Sequence, residues 1–419
     1  MQDPQTSVKP AQRVLSVTSH VSGTVAPPPR TEKLSLWIVR FVLPVGWLAL
    51  LTGMFWIGDR SLYHKLFYVF LAFPTLAAVS LTPSQLRQLF QSPLLRAYVL
   101  FALYVSLSLA WSPDSGELSL IKYPLYVLMM LLATALMARH YPDLMIKTTF
   151  LGAVLASLSA LLTLLWYVKE GAHGRLEGYG ALYNPLLTTH IYGFYAAFWL
   201  ATWCSKIRIS SWITLPALAV VLLLILCTGS RTPLFALAMS MLWLTFAHPN
   251  RRTLFIVGSV IIGFVGLILI DPSLVTQRGA SFRPAIWADA WRQIQQDFWL
   301  GHGFDATMRI DLPEVGHMLA DPHNLSLGVM YQTGLTGLAL WVVLYLTALV
   351  QGWRLRREPA VLITGTLVVF GLAAGMTEGS SFLSRPKEHW FLVWIPLALL
   401  NVAVIYHLTA RKPQAVNEV

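Results

Sequence analysis

Residues 212–247 read WITLPALAVVLLLILCTGSRTPLFALAMSMLWLTFA. Two apolar runs, 212–229 and 232–247, flank a tight turn, Thr228-Gly229-Ser230-Arg231-Thr232-Pro233, whose one charge is Arg231. About 17–25 apolar residues cross the hydrocarbon of a bilayer as a helix, so the stretch reads as a membrane hairpin. A charge at the bilayer centre costs roughly 2.5–3.5 kcal/mol. Arg231 therefore either snorkels to the interface or serves an anion there.

The rest of the chain repeats this pattern. Of 419 residues, 56% are hydrophobic and 12% charged, a balance that excludes an ordinary soluble domain. Further runs of spanning character occur near 35–57, 66–82, 97–111, 123–138, 148–168, 186–205, 253–270, 334–353, 361–378 and 389–408. The chain is expected to be an all-α polytopic membrane protein of about 12 spans, because hydrocarbon leaves the backbone no other partner than itself. The first run follows a polar stretch and has no small-residue cleavage site behind it, so it reads as a retained span. Residues 1–34 are expected to form a disordered cytoplasmic tail and 35–419 a single membrane domain, with an outer loop at 271–323.

Charge sets the orientation. With the N-terminus inside, inner segments hold 17 basic and 5 acidic residues, and outer segments 12 and 14. That bias obeys the positive-inside rule, placing both termini in the cytoplasm and loop 271–323 outside. The basic pI of about 9.7 then reflects topology and not nucleic-acid binding.

Cys204 and Cys227 fall at opposite ends of neighbouring spans, which excludes a disulfide between them. No Cys/His cluster has metal-site spacing, and the outer acids are scattered without a paired set. The expectation is no metal and no cofactor. No glycine-rich loop of nucleotide type is present either.

Three outer sites place a polar residue at the mouth of a helix that opens with proline, a favoured first residue. Such mouths attract anions through free N–H groups and partial positive charge. The first is the turn holding Arg231. The second is Arg278-Gly279-Ala280-Ser281-Phe282-Arg283-Pro284, leading into Ala285–Ile294. There Ile286, Trp287, Ala290, Trp291 and Ile294 recur at helical spacing, so the loop is expected to carry an amphipathic helix with Arg278 and Arg283 at its head. Gly301-His302-Gly303 then turns the chain, with His302 expected to be exposed.

The third is Asp321-Pro322-His323-Asn324. Asp321 is expected to cap a helix with Pro322 first and His323 in its opening turn. The helix dipole should favour neutral His323, a competent general base, while Asp321 pulls the other way. Asn324 is a candidate to orient His323. Glu378 is a candidate to position His323 or an arginine, unless Arg385 or Lys387 satisfies it. His190 reads as structural.

The Gly-Ser-Arg turn, the later Arg-Pro-x-Ile-Trp ending in Leu-Gly-x-Gly-Phe, and His-Asn-Leu followed by Gly-x-x-Gly resemble the O-antigen ligase and polymerase superfamily, over roughly residues 225–345. The resemblance implies a GT-C-like glycosyltransferase of the bacterial inner membrane. Its partners would be undecaprenyl pyrophosphate-linked O-antigen, lipid A–core oligosaccharide and membrane lipids, with no nucleotide or nucleic acid. Arg231 and Arg283 match the family's functional arginines, and His323 its histidine. The residues themselves suit that chemistry. Arginine forks pair bidentately with phosphate oxygens, and a neutral histidine can take a hydroxyl proton. Arg231, Arg283 and Arg278 would grip the pyrophosphate, His323 would activate the acceptor, and transfer would invert without metal. Chain length and the single long loop favour a ligase over a polymerase. A secondary transporter is the alternative of another class, disfavoured because no paired interrupted segments recur in two halves.

Overall fold

A computed structural model describes residues 29–113, 118–205, 207, 211–259, 282–312 and 318–416. Its regular structure among these residues is helical, apart from one isolated bridge between Ile310 and Leu319. Eight helices are long and apolar enough to cross a membrane: α1 (Arg30–Trp56), α2 (Arg60–Leu81), α3 (Pro93–Trp111), α4 (Leu118–His140), α5 (Pro142–Lys169), α7 (Ser211–Thr228), α10 (Leu325–Arg354) and α12 (Glu388–Leu408). Between them lie α6 (Pro185–Cys204), the shorter apolar α8 (Thr232–Ala247) and α11 (Pro359–Gly375), and the loop helix α9 (Arg283–Ile294). The expected run 253–270 falls mostly outside the described residues, as do the N-terminal residues 1–28 and most of the first part of the outer loop. Helix α1 begins at Arg30, five residues before the first expected span.

Local chemistry sets the helix ends. Proline opens α3, α5 and α6 and stands second in α8 and α9. Asp59, Ser92 and Asn184 cap α2, α3 and α6 by accepting from the free N–H groups of the first turn. Within α1 and α2, Pro44 and Pro74 would each clash with the carbonyl four residues back, Arg40 and Phe70. Both carbonyls lie inside single π turns, Ile38–Val42 and Tyr68–Ala72, which widen the ladder where proline needs room.

Helices α6 and α12 form the interior. Tyr192, Tyr195 and Trp199 of α6 and Trp394 of α12 are among the largest fully buried side chains. Around them α6 packs on α7 and α11, α8 on α11, α12 on α4 and α11, α10 on α3, and α1 on α5. Both cysteines are free.

The loop between α8 and α10 is ordered where it is described. Ile286, Ala290 and Ile294 bury one face of α9 against Met308, Ile310, Met330 and Tyr331, as the apolar spacing predicts. The Gly301-His302-Gly303 turn docks on α10, where the N–H groups of His302 and Gly303 donate to the carbonyls of Tyr331 and Gln332. Helix α10 breaks there, at Gly334, with φ 63° and ψ −168°. A Cβ at Gly334 would lie 2.4 Å from the Trp299 carbonyl oxygen, so only glycine fits. His302 is not exposed as expected. Its ring stacks on Tyr331 at 4.3 Å, Nε2 meets the Gln293 carbonyl at 3.0 Å, and Nδ1 lies 3.2 Å from Asp297.

Candidate active site

Four separate segments converge on one buried carboxylate. Glu378 lies in the connection between α11 and α12, with its side chain 4% exposed. Its Oε1 accepts from the Arg283 guanidinium at 2.5 Å and from the Thr232 hydroxyl at 3.1 Å. Its Oε2 lies 3.7 Å from His323 Nδ1. Thr377 supports the cluster by donating to the Thr232 hydroxyl at 3.3 Å. A buried carboxylate costs several kcal/mol unless paired and hydrogen-bonded, and here two cationic groups and a hydroxyl supply the pairing. Of the two readings open for Glu378, the structure pairs it with an arginine, Arg283, and with His323 rather than with Arg385 or Lys387.

Each segment is held by its own local structure. Arg283 heads α9, and Trp287 one turn on donates its indole N–H to the Pro322 carbonyl at 3.0 Å. That bond ties the helix bearing Arg283 to the hook bearing His323. The hook differs from expectation. Asn324, not Asp321, caps α10, its side chain accepting from the N–H groups of Ser326 and Leu327, and the helix starts at Leu325. Asp321 accepts from the His323 N–H at 2.7 Å. His323 therefore stands just outside the helix at φ 49°, a left-handed conformation costly for a side-chain-bearing residue. Asn324 is used by the backbone and does not reach the imidazole as an orienting group. The short Asx turn and the cap together aim His323 toward Glu378.

Arg231 is the exposed residue immediately before α8. Its neighbour Thr232 bonds Glu378, which fixes the Arg231 backbone one residue from the cluster. Arg278 lies outside the described residues. His190 is buried in α6, its ring centroid 5.2 Å from that of His389, and neither of its ring nitrogens has a hydrogen-bond partner among the described residues.

The electrostatics correct a second expectation. His323 is not held neutral by a helix mouth. The Glu378 carboxylate, 3.7 Å from Nδ1, raises the His323 pKa above the ordinary imidazole value, against the opposing effects of burial and the Arg283 charge. Burial works to raise the Glu378 carboxyl. The neighbouring His323 imidazole and the charges of His190 and Arg283 outweigh it and hold that carboxyl below its usual value. Glu378 is thus the anion of the cluster, and His323 a carboxylate-supported imidazole. With Nδ1 facing the carboxylate, Nε2 is the nitrogen left for substrate. Among the described residues no group of three or more His, Cys, Asp or Glu side chains is placed to hold a metal ion.

The residues 216–342, which include Arg231, Arg283 and His323, match the family model described as O-antigen ligase. An O-antigen ligase from Pseudomonas aeruginosa is 50% identical over 368 residues, covering 88% of this chain and 90% of that relative. The chain belongs to the O-antigen ligase family. It is accordingly an enzyme of lipopolysaccharide biosynthesis. Within this O-antigen ligase fold the matched region ends before Glu378, the residue around which the cluster is built. Thr232 and Trp287 are likewise unannounced by any charge. Their signals were the Thr-Pro start of α8 and an indole one turn into α9.

Proposed function

We propose that this chain transfers O-antigen polysaccharide from undecaprenyl pyrophosphate to lipid A–core oligosaccharide at the periplasmic face of the inner membrane. The observation that carries the reading is the pairing of Arg283 and His323 on one buried carboxylate, to which Thr232, the residue after Arg231, is also bonded. Twelve spans of a GT-C-like type, in one membrane domain with both termini cytoplasmic, are supported by the charge bias of the sequence and the helices described.

The donor already carries an activated bond, so two tasks remain. Arg231 and Arg283, with Arg278, neutralise the diphosphate as it leaves. His323 Nε2 takes the acceptor hydroxyl proton, and Glu378 stabilises the imidazolium that forms. The acceptor oxygen attacks the anomeric carbon as the carbon–oxygen bond to phosphate breaks, and its electron pair leaves with the diphosphate. One displacement inverts the anomeric centre. Cationic side chains stand where other phosphoryl-handling sites use a divalent ion.

The test mixes purified protein, carrier-linked glycan and rough lipopolysaccharide. A ladder built on the lipopolysaccharide supports the ligase reading. Growth of the carrier-linked glycan alone would make the protein a polymerase.

A further inference from the structure

A cavity of about 610 Å³ opens between the outer ends of α1 and α5, beneath the loop at 177–180. Its walls carry the buried Phe55 of α1 and, on α5, the exposed Leu162 beside Thr163. Its mouth is aromatic, formed by the exposed rings of Trp56, Trp166 and Tyr179, with Glu177 beside them. Ser159 also reaches the cavity, but its hydroxyl is already engaged by Tyr192 at 2.9 Å. No Lys or Arg stands among the lining residues, and the nearby Lys169 ammonium lies 5.0 Å over the Trp166 ring.

The wall of this cavity is bonded to the turn that carries Arg231. The Leu176 N–H donates to the Cys227 carbonyl at 3.1 Å, and Arg175 Nε donates to the Thr228 carbonyl at 2.8 Å. Glu177 follows directly. On its other side, Ala181 accepts from Arg60 at 3.2 Å. The groove is therefore a fixed neighbour of the Arg231 turn.

We propose that this groove holds the saccharide and adjoining hydrocarbon of the lipid-anchored acceptor, apart from the cationic cluster that holds the donor diphosphate; the inference rests on the transferase reading above. Three observations select that occupant. Aromatic rings offer flat apolar faces to the C–H side of a sugar, and their edges remain in contact with water. Glu177 at the mouth can accept from sugar hydroxyls, and the lining offers no guanidinium fork for a diphosphate, the nearby cation Lys169 lying over the Trp166 ring. Leu162, one turn from Trp166 on α5 and exposed, together with Phe55 gives an apolar wall open at the side, which suits a hydrocarbon chain entering from the lipid.

The experiment uses the full chain in nanodiscs, with rough lipopolysaccharide as acceptor and carrier-linked glycan as donor. Loss of two stacking rings in Trp166→Ala/Tyr179→Ala should raise the acceptor KM about tenfold or more, leaving kcat and the donor KM within about twofold. These rings are exposed, so folding is not expected to suffer. A benzophenone amino acid placed at position 179 should crosslink to rough lipopolysaccharide with no donor present, and excess unlabelled lipopolysaccharide should compete. Crosslinking to the carrier-linked glycan, or a rise in donor KM in place of acceptor KM, assigns the groove to the other substrate and overturns the proposal. An unchanged acceptor KM with no crosslink overturns it as well. Failure of the transferase reading looks different: no ladder forms with the unaltered protein, yet crosslinking to lipopolysaccharide alone still supports the groove.

Discussion

The Arg283 guanidinium lies 2.5 Å from Glu378 Oε1, joining the first residue of a loop helix to a carboxylate 95 positions later in the chain. That pair fixes where the outer loop meets the bundle. It also puts His323 on the remaining oxygen of the same carboxylate.

Breaking the pair separates structure from chemistry. Arg283→Ala leaves a buried carboxylate with one cationic partner fewer, and should destabilise the fold by about 3 kcal/mol. Arg283→Ala/Glu378→Gln should recover most of that stability and none of the transfer. Thermal melts in detergent beside a transfer assay check both halves. Recovery of transfer in the double variant would mean that Arg283 serves only to hold the loop.

The pH dependence has a definite sign. His323 acts as base only when neutral, and Glu378 raises its pKa. Activity should therefore fall as pH drops through that raised value. In Glu378→Gln the support is gone, so His323 stays neutral to lower pH and the acid limb of kcat/KM moves down. The maximal rate should drop as well, because the imidazolium loses its stabilising charge. A limb that stays in place or moves upward contradicts the assignment.

Trp287 tests the bracing of the hook. Trp287→Phe keeps the ring and removes the N–H bond to the Pro322 carbonyl, a loss of about 1 kcal/mol. The His323 hook should loosen, lowering kcat roughly threefold to tenfold through misplacement. Hydrogen exchange at residues 321–324 should quicken in step. No change in either quantity would show that the hook is self-supporting.

The break in α10 depends on glycine. Gly334→Ala places a Cβ 2.4 Å from the Trp299 carbonyl oxygen at a positive φ. It should cost at least about 1–3 kcal/mol in stability, read as a lowered melting temperature. Transfer should also weaken, since α9 and the glycine turn dock at that break. A variant as stable as the original would show the left-handed backbone to be incidental.

Metal independence is tested directly. Transfer should proceed at full rate after chelation, because the guanidinium groups supply the positive charge. Loss of activity restored by Mg²⁺ contradicts this.

Much of this was legible in the sequence because membranes impose strong patterns. The apolar runs placed most helices within a few residues, and the Ile286/Ala290/Ile294 spacing announced the loop helix. Arg231, Arg283 and His323 could be picked out because each stands within two residues of a proline in a polar turn. Glu378 could be marked as a partner for His323 or an arginine, but which arginine could not be read, since pairing across 95 residues follows from how the loop folds back and leaves no local mark. The cap of α10 was misplaced by three residues for a related reason. Asp321, Pro322 and Asn324 each suit a helix start, and the contest is decided by which side chain reaches two N–H groups. Proximity of His323 to Glu378 then reversed the electrostatics expected from a helix mouth alone.

The central claim is that two guanidinium groups and one imidazole act at a single carboxylate-centred site. Its most direct measurement is glycan transfer by purified Arg231→Ala, Arg283→Ala and His323→Ala, each with melting and binding of rough lipopolysaccharide monitored alongside. The account predicts that all three lose the ladder on lipopolysaccharide and still bind the acceptor. Near-normal transfer by any folded member of the set contradicts it.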